Sequence, residues 1–259
     1  MSEKKYLKYG LFVLAMSIVV TFTHSSSAAL VSYNQDFEAM TPNQGWPPND
    51  LSADGWQVYG FEWDVNPYNS PANIVNQYGP FPAANGEPGS FQGVATDQGG
   101  PDQGNVVLAK YSDYNNTNQA TLYIQGDTFQ QQTIGPGDVG LWRFSYDAKI
   151  GNLEADSSAF AYLQTFDPVL FYQKSIVVND STHLPIEWGT YSIDLLIDGS
   201  MVGDILTFGF SATATNSNGS GVFYDNLRFD RVVVPVPAAF WLFGSGLVGL
   251  IGVARRKKV

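Results

Sequence analysis

The sequence contains no cysteine and only two histidines among its 259 residues. Without cysteine the chain can form no disulfide, carry no lipoprotein-type anchor, bind no metal through sulfur and use no thiol nucleophile. His24 lies in the N-terminal segment described below, which leaves His183 for the rest of the chain. Zinc sites without cysteine need several histidines, and no Gly-x-Ser-x-Gly motif accompanies His183, so zinc and a serine triad are excluded. We expect His183 to be a surface turn residue.

Positive charge is scarce in the central region. Residues 30–232 contain six of the 13 lysines and arginines but 23 of the 24 acids, which gives a net charge of −17. Such a surface repels nucleic acid and anionic lipid, so we expect no nucleic-acid partner. Cations and neutral ligands such as sugars suit it better, although solubility by itself also explains the charge.

Both termini combine an apolar run with clustered cations. Lys4, Lys5 and Lys8 precede the apolar segment Leu11–Phe22, and small residues follow, which is typical of a secretory signal peptide over residues 1–29. Near the other end, Ala238–Ala254 is a run of 17 residues without charge, followed by four cations. As a helix this run would be roughly 25 Å long, close to the bilayer's hydrocarbon thickness. We therefore predict a single transmembrane helix within residues 233–259 and an exported region at 30–232.

The C-terminal segment resembles a PEP-CTERM sorting signal. The matching features are the step Pro235-Val236-Pro237, a glycine-rich apolar helix and a basic cluster that includes Arg255 and Arg256. The family's namesake motif has glutamate where this chain has Val236. The resemblance implies a Gram-negative bacterium that makes exopolysaccharide. It also implies an inner-membrane stage, recognition by an exosortase, which is a membrane peptidase, and release to the cell surface or extracellular matrix.

The central region alternates between apolar and polar residues with a period of two, which predicts short β-strands. The clearest runs are 142–149, 160–166, 191–197, 206–210 and 222–229. Glycine, asparagine and proline clusters separate them, and no convincing amphipathic helix interrupts them, so we predict an all-β sandwich. Residues 64–105 are rich in proline, asparagine, glycine and glutamine, and there we expect long loops with few strands.

The order of several fragments in this region resembles jelly-roll carbohydrate-binding and galactose-binding-like domains. The fragments are residues 34–38, 55–56, 132–134, 142–148, 188–192 and 221–229. The resemblance implies a jelly-roll β-sandwich over residues 30–232. It also implies that the first and last strands meet and often hold a structural calcium ion.

The last strand gives independent support for calcium. With a period of two, Asp225 shares a row with the apolar residues Phe223 and Leu227. A buried carboxylate is costly unless a cation or hydrogen bonds compensate it. Asp36 and Glu38, near the first strand, could complete an oxygen-rich calcium shell. The alternative is that the strand bulges or ends at Asp225 and leaves its side chain in water.

Aromatic residues crowd one loop-rich part of the chain. Because aromatic faces stack well on sugar rings, we take as sugar-binding candidates Trp46, Trp56, Tyr59, Trp63, Tyr68 and Tyr78. Any single member, Trp56 and Tyr59 above all, could instead be a core residue between two sheets.

These observations favour a non-enzymatic, exported surface protein that binds carbohydrate or exopolysaccharide in the biofilm matrix. A structural matrix component without a defined ligand is the first alternative. A glycoside hydrolase or lyase is less favoured, because no pair of carboxylates stands out among the acids.

Overall fold

A computed structural model describes residues 29–64, 74–87, 89–112, 122–154, 157–215 and 218–233. The predicted signal peptide and sorting tail, apart from Ala29 and Val233, lie outside the described residues, as does Tyr68. Within these ranges, no helix has both the length and the apolar character needed to cross a membrane.

The described residues form twelve strands and one short helix, as follows: β1 Tyr33–Gln35, α1 Asp50–Ala53, β2 Gln57–Asp64, β3 Ile74–Pro82, β4 Gln92–Thr96, β5 Val106–Lys110, β6 Leu122–Thr133, β7 Gly140–Ile150, β8 Ser158–Asp167, β9 Tyr172–Asp180, β10 Gly189–Ile197, β11 Ile205–Thr215 and β12 Val222–Arg231. Two 3-10 turns, Pro136–Asp138 and Gly199–Met201, connect strands at one end of the molecule.

The strands form two antiparallel sheets. The first sheet has the order β10-β7-β12-β5-β4, with β1 also paired to β12, and the second has the order β3-β2-β6-β11-β8-β9. The prediction of an all-β sandwich is therefore confirmed. The alternating runs become strands because each strand buries one face of its pleat against the other sheet.

The connectivity of β5 to β12 is that of a jelly roll. These eight strands pair in nested order, β5 with β12, β6 with β11, β7 with β10 and β8 with β9. This is the pairing of one long hairpin rolled up, with its strands alternating between two sheets. The hairpin of β2 and β3 extends the second sheet.

An aromatic core fills the space between the sheets. Phe208 stacks on Phe229 with ring centroids 4.6 Å apart, and Phe210 stacks on Tyr224 at 3.7 Å. All four side chains are buried. Aromatic pairs at these distances add to the apolar area they bury, so the two sheets are held in a fixed relation.

Residues 64–105 contain more strand than their composition predicts. β3 lies there as an edge strand that includes Gly79, Pro80 and Pro82, and β4 follows it. Proline is tolerated at a sheet edge because no partner strand needs its missing N–H. The expectation of few strands was wrong for β3 because composition does not reveal that a strand lies at an edge.

Candidate functional site

The outer face of the second sheet carries an unexpected group of aromatic side chains. In a strand, successive side chains point to opposite sides of the sheet. In β8, Ala161 and Leu163 belong to the core between the sheets, so Phe160 and Tyr162 point outward. The same alternation applies on β2 and β6. The group, here called the aromatic face, consists of Tyr59, Phe61, Trp63, Phe129, Phe160 and Tyr162.

The rings of the aromatic face pack along and across the strands. The Tyr59 and Phe61 centroids are 4.7 Å apart, and the Phe61 and Trp63 centroids are 6.0 Å apart. Phe160 and Tyr162 lie 6.2 Å apart on β8. Trp63 is half-buried at the edge of this group, whereas the other five rings are buried.

A glycine separates the two halves of the aromatic face. In the register across β6, β11 and β8, Gly209 lies between Phe129 and Tyr162. A Cβ atom at Gly209 would lie 2.2 Å from the carbonyl oxygen of Thr128 and 2.7 Å from Phe129 Cα. The position therefore excludes any side chain.

A polar row crosses the same face one step along the strands. Gln131, Thr207 and Gln164 are register neighbours on β6, β11 and β8. The Gln131 amide donates to Thr207 Oγ1 at 3.4 Å. The amide oxygens of Gln131 and Gln164 and the indole Nε1 of Trp63 are buried and have no hydrogen-bond partner. Unpartnered buried polar groups are costly, so these atoms point to a ligand or water that would complete them.

Burial disfavours the charged forms of the ionisable groups on this face. Burial raises the pKa of Asp127, while the hydrogen bond from Gln125 and the charge of Lys110 oppose part of this rise. The Gln125 amide donates to Asp127 Oδ1 at 2.8 Å. Burial also raises the pKa of Tyr162, and the neighbouring Asp127 adds to that shift. The face therefore offers rings, amides and hydroxyls to a ligand, with little net charge.

Two of the predicted sugar-binding residues, Tyr59 and Trp63, belong to the aromatic face. The other candidates in the described part of the chain lie elsewhere. Trp56 is fully buried in the core between the sheets, where its indole donates to Asp54 Oδ2 at 3.1 Å. Trp46 is exposed and lies outside both apolar clusters. Four members of the aromatic face were not predicted from the sequence, because alternation does not show which side of a sheet a row of apolar residues faces. They are Phe61, Phe129, Phe160 and Tyr162.

Tyr78 turns toward the opposite side of the second sheet. It stacks on Phe91 with centroids 5.8 Å apart. A Cβ at Gly60 would lie 2.2 Å from its ring. Gly60 is therefore the residue that makes room for Tyr78 beside β2.

Replacing Gly60 with alanine should lower the free energy of unfolding by about 1–3 kcal/mol, because the new methyl group would displace the Tyr78 ring. Urea unfolding measures this change. The matched control is Gly137→Ala, where an added Cβ meets no atom within 4 Å; we expect it to shift stability by less than about 0.5 kcal/mol. Equal effects of the two substitutions would contradict this assignment.

A second polar site lies at a bulge in β12. One edge of β12 pairs with β5 through residues 222–224 and with β1 through residues 227–229. Between these segments the register shifts, and Asn226 adopts φ 50°. The bulge changes the phase of the strand, so the predicted row of Phe223, Asp225 and Leu227 is wrong: Leu227 is buried in the core and Phe223 packs against Lys149 on the other side.

Asp225 is nevertheless fully buried. Its Oδ1 accepts the backbone N–H of Asn226 at 2.7 Å, whereas its Oδ2 has no partner. Burial raises the pKa of Asp225 to about 7, and the charges of Asp147, Glu38 and Asp36 push it in the same direction. The predicted bulge is thus present, but it does not place the carboxylate in water.

The carboxylates near β1 are organised by loop backbone. Glu38 Oε1 accepts the N–H groups of Asn105 and Val106, both at 2.7 Å, and Asp36 Oδ1 accepts the N–H of Glu38 at 3.2 Å. Both side chains are exposed. In the part of the chain that the structure describes, no three histidine or acidic side chains gather closely enough to hold a metal by themselves.

A hydrogen-bond network that the sequence did not reveal surrounds Asp147. Its Oδ2 accepts from Gln103 and from Asn226, both at 2.8 Å, and its Oδ1 accepts from Thr190 Oγ1 at 2.6 Å. These donors come from three separate parts of the chain, so no short sequence motif predicts the network. They fix the bulge beside Asp225.

A bound cation would compensate the charge of the buried Asp225 carboxylate. Among the described residues, Asp225 has one unpartnered oxygen, three nearby acids and no ion pair. Calcium prefers carboxylate and carbonyl oxygens and would compensate such a buried charge. His183, by contrast, is exposed in the turn after β9, with Nδ1 3.3 Å from Asp180 Oδ2.

Comparison with known proteins gives distant structural similarities. No protein-family model and no curated protein sequence matches the chain. A cyclase from Fischerella sp. TAU matches with 13% identity over 82% of this chain and 100% of its own, at a TM-score of 0.41. The C-terminal family 22 carbohydrate-binding module of xylanase 10B from Clostridium thermocellum matches with 14% identity over 78% of this chain and 95% of its own, at 0.37.

A third match, to the enzymatically active domain of tailspike protein 4 of bacteriophage CBA120, has 8% identity and a TM-score of 0.38. It covers 54% of this chain but 18% of the tailspike chain. Similarities of this size support no transfer of function. The jelly-roll assignment rests on the strand pairing.

Proposed function

We propose that this chain is a non-enzymatic carbohydrate-binding protein and that the outer face of the second sheet is its binding surface. One observation carries the proposal. The outward side of a sandwich sheet normally meets water and is polar, yet here it bears the aromatic face next to unpartnered buried amide and indole groups. Rings that stack on sugar and amides that bind hydroxyl groups are the two elements that carbohydrate recognition needs.

A neutral glycan fits this surface better than an acidic one. Burial raises the pKa of Asp127, which lies on this face, so a negative charge there is disfavoured. The surrounding region carries a net charge of −17 and repels polyanions. Neutral segments of exopolysaccharide are the ligand class that we propose.

Binding of the full-length protein to a panel of purified bacterial polysaccharides tests the proposal. We expect retention on neutral polysaccharides in affinity electrophoresis and none on DNA. Absence of binding across the neutral and acidic panel would leave a structural matrix component as the function. Release of reducing sugar from the same polysaccharides would instead establish a hydrolase.

We further propose that Asp225 binds a structural calcium ion with help from Glu38, Asp36 and backbone carbonyl groups. The unpartnered Oδ2 and the raised pKa of Asp225 support it. Calcium would neutralise the buried carboxylate and tie the loop after β1 to the bulge of β12. The ion would thus stabilise the sandwich without taking part in sugar recognition.

Export and sorting complete the proposed function. The apolar, cation-flanked termini support passage through the inner membrane, followed by temporary anchoring through residues 233–259. The resemblance of Pro235, Val236, Pro237, Arg255 and Arg256 to a sorting signal supports an exosortase as the processing partner. The mature protein would then reach the cell surface or extracellular matrix of a Gram-negative bacterium.

A reporter inserted directly before Pro235 tests this topology. We expect an alkaline phosphatase inserted there to be active, because that enzyme folds only after export. The same reporter placed after Val259 should be inactive, since the terminal cations keep that end in the cytoplasm. Equal activity at both sites would contradict the proposed topology.

A further inference from the structure

One end of the sandwich gathers three turns and both ends of the described chain. Ile134 exchanges backbone hydrogen bonds with the loop that contains Gly203 and Asp204. Lys174, at the start of β9, donates to Ser200 O at 2.8 Å. The turns after β6, β8 and β10 therefore lie together, and we call this part of the molecule the basal end.

The chain enters and leaves the domain at the basal end. The N–H of Leu30 donates to Asp138 Oδ2 at 2.7 Å. At the other terminus, Arg231 donates to Gly137 O and Val139 O, and the N–H of Val232 donates to Leu141 O. Val233, the last described residue, thus leads out beside the turn after β6.

Exposed apolar side chains concentrate at the basal end. It holds eight of the 13 large hydrophobic residues that are exposed among the described ranges, including Val31 and Val233 at the termini. The most exposed run is the tip of the β8–β9 hairpin, where Val169 is 77%, Leu170 66% and Phe171 58% exposed. Tyr172, Val139 and Val202 add to this surface. Contiguous exposed apolar residues of this kind mark an interaction site.

Three acidic side chains at the basal end are held away from its surface, whereas Asp198 is exposed there. Asp138, Asp167 and Asp204 are buried. Asp167 accepts the N–H groups of Val169 and Leu170, and Lys174 forms ion pairs with Asp167 and Asp204. The tips 168–172 and 199–203 contain no charged residue. In a region with a net charge of −17, two neighbouring apolar tips without a charged residue are unusual.

The predicted membrane segment begins close to this end. Ala238 follows Val233 by five residues, which can span at most roughly 17 Å. The headgroup layer on one side of a bilayer occupies roughly 6 Å of that distance. While the tail is in the membrane, the basal end must therefore lie within about 10 Å of the lipid headgroups.

We propose that the basal end docks on the bilayer, with the β8–β9 tip inserted among the lipid headgroups beside the membrane-spanning tail. The inference rests on the proposed tail. Apolar and aromatic side chains at a membrane interface gain by burying area there, and tips without charge avoid repulsion from lipid phosphates. Because the strands of the second sheet end at the basal end, the sheet would stand upright from the membrane, with the aromatic face on its side and away from the lipid.

Site-directed fluorescence tests the docking, and the absence of cysteine makes single labels simple. Full-length Leu170→Cys and Ile186→Cys proteins are labelled with an environment-sensitive dye and reconstituted into phosphatidylcholine liposomes. Ile186 is 76% exposed but lies at the opposite end, beside the start of β10. We expect lipid-headgroup nitroxides to quench the dye at position 170 several-fold more strongly than the dye at position 186.

Each outcome separates docking from anchoring. Protein that floats with the liposomes but shows equal quenching at positions 170 and 186 would overturn docking and leave the tail intact. Protein that does not float would overturn the tail and, with it, the docking. A blue-shifted dye at position 170 without lipid quenching would show that protein, such as a second copy of this chain, covers the tip.

A second variant tests the role of the tip directly. A dye at Val202→Cys should be quenched by the same lipids, and adding Leu170→Asp and Phe171→Ser should reduce that quenching several-fold. The two substitutions alter exposed side chains and keep the backbone N–H of residue 170 that Asp167 accepts. Unchanged quenching at position 202 would contradict insertion of the tip.

Discussion

Replacing Trp63 with alanine should weaken binding of the neutral polysaccharide by roughly 30-fold, which corresponds to about 2 kcal/mol. The half-buried Trp63 ring continues the row formed by Tyr59 and Phe61, and its indole nitrogen has no partner. The substitution therefore removes both a stacking surface and a hydrogen-bond donor. Affinity electrophoresis or calorimetry measures the change in dissociation constant.

Trp46→Ala is the matched control for this loss. Trp46 is 62% exposed and lies apart from the aromatic face, so its removal should leave affinity unchanged within about twofold. Gln164→Leu should weaken binding while keeping a similar volume, because it removes one of the unpartnered amides. If Trp46→Ala weakens binding as much as Trp63→Ala, the proposed surface is misplaced.

Removal of calcium should lower the melting temperature by roughly 5–10 °C. A ligand present at 100 times its dissociation constant stabilises a protein by about 2.7 kcal/mol, and 1 kcal/mol shifts the melting temperature by about 2–4 °C at this size. Without the ion, the buried Asp225 faces Asp147, Glu38 and Asp36 with no compensating charge. Thermal unfolding with and without a chelator measures the difference.

Asp225→Asn should abolish this dependence on calcium, because the amide keeps the shape but loses the charge that binds the ion. The control is Asp198→Asn, since Asp198 is exposed at the basal end and should keep the full calcium effect. An unchanged melting temperature in the wild-type protein after chelation would contradict the calcium site.

The chelated protein should also show a dependence on pH that comes from Asp225. Its pKa in the folded state is raised from 3.8 to about 7, so the folded state binds a proton more tightly than the unfolded state does. Stability from this group is present below about pH 4 and is lost as pH rises toward 7. Asp225→Asn should remove that slope in chelator, as urea unfolding at several pH values can show.

The sequence predicts the sandwich well because alternation reports burial directly. The runs 142–149 and 222–229 become the central strands β7 and β12. The edge strand β3 was missed, since prolines and glycines there look like loop residues. The strand order could not be predicted, because it depends on pairings between residues far apart in the chain, such as Leu206 with Gln132.

The candidate sites were harder to predict than the strands, because they also depend on contacts between residues far apart in the chain. Alternation identifies that Phe160 and Tyr162 share a face, but only the packing shows that this face is the outer one. A strand-phase argument singled out Asp225, yet the bulge at Asn226 gives it different neighbours from those expected. Asp147, Gln103 and Thr190 could not be found, because their contacts join separate strands and loops.

Fluorine NMR of the full-length protein with its six tryptophans replaced by fluorotryptophan tests the central claim most directly. During titration with a fragment of the neutral polysaccharide, the Trp63 resonance, assigned by Trp63→Phe, should shift in a saturable manner. The resonances of the core residue Trp56 and the exposed residue Trp46 should stay in place. Saturable shifts at Trp46 with an unchanged Trp63 signal would contradict carbohydrate binding on the outer face of the second sheet.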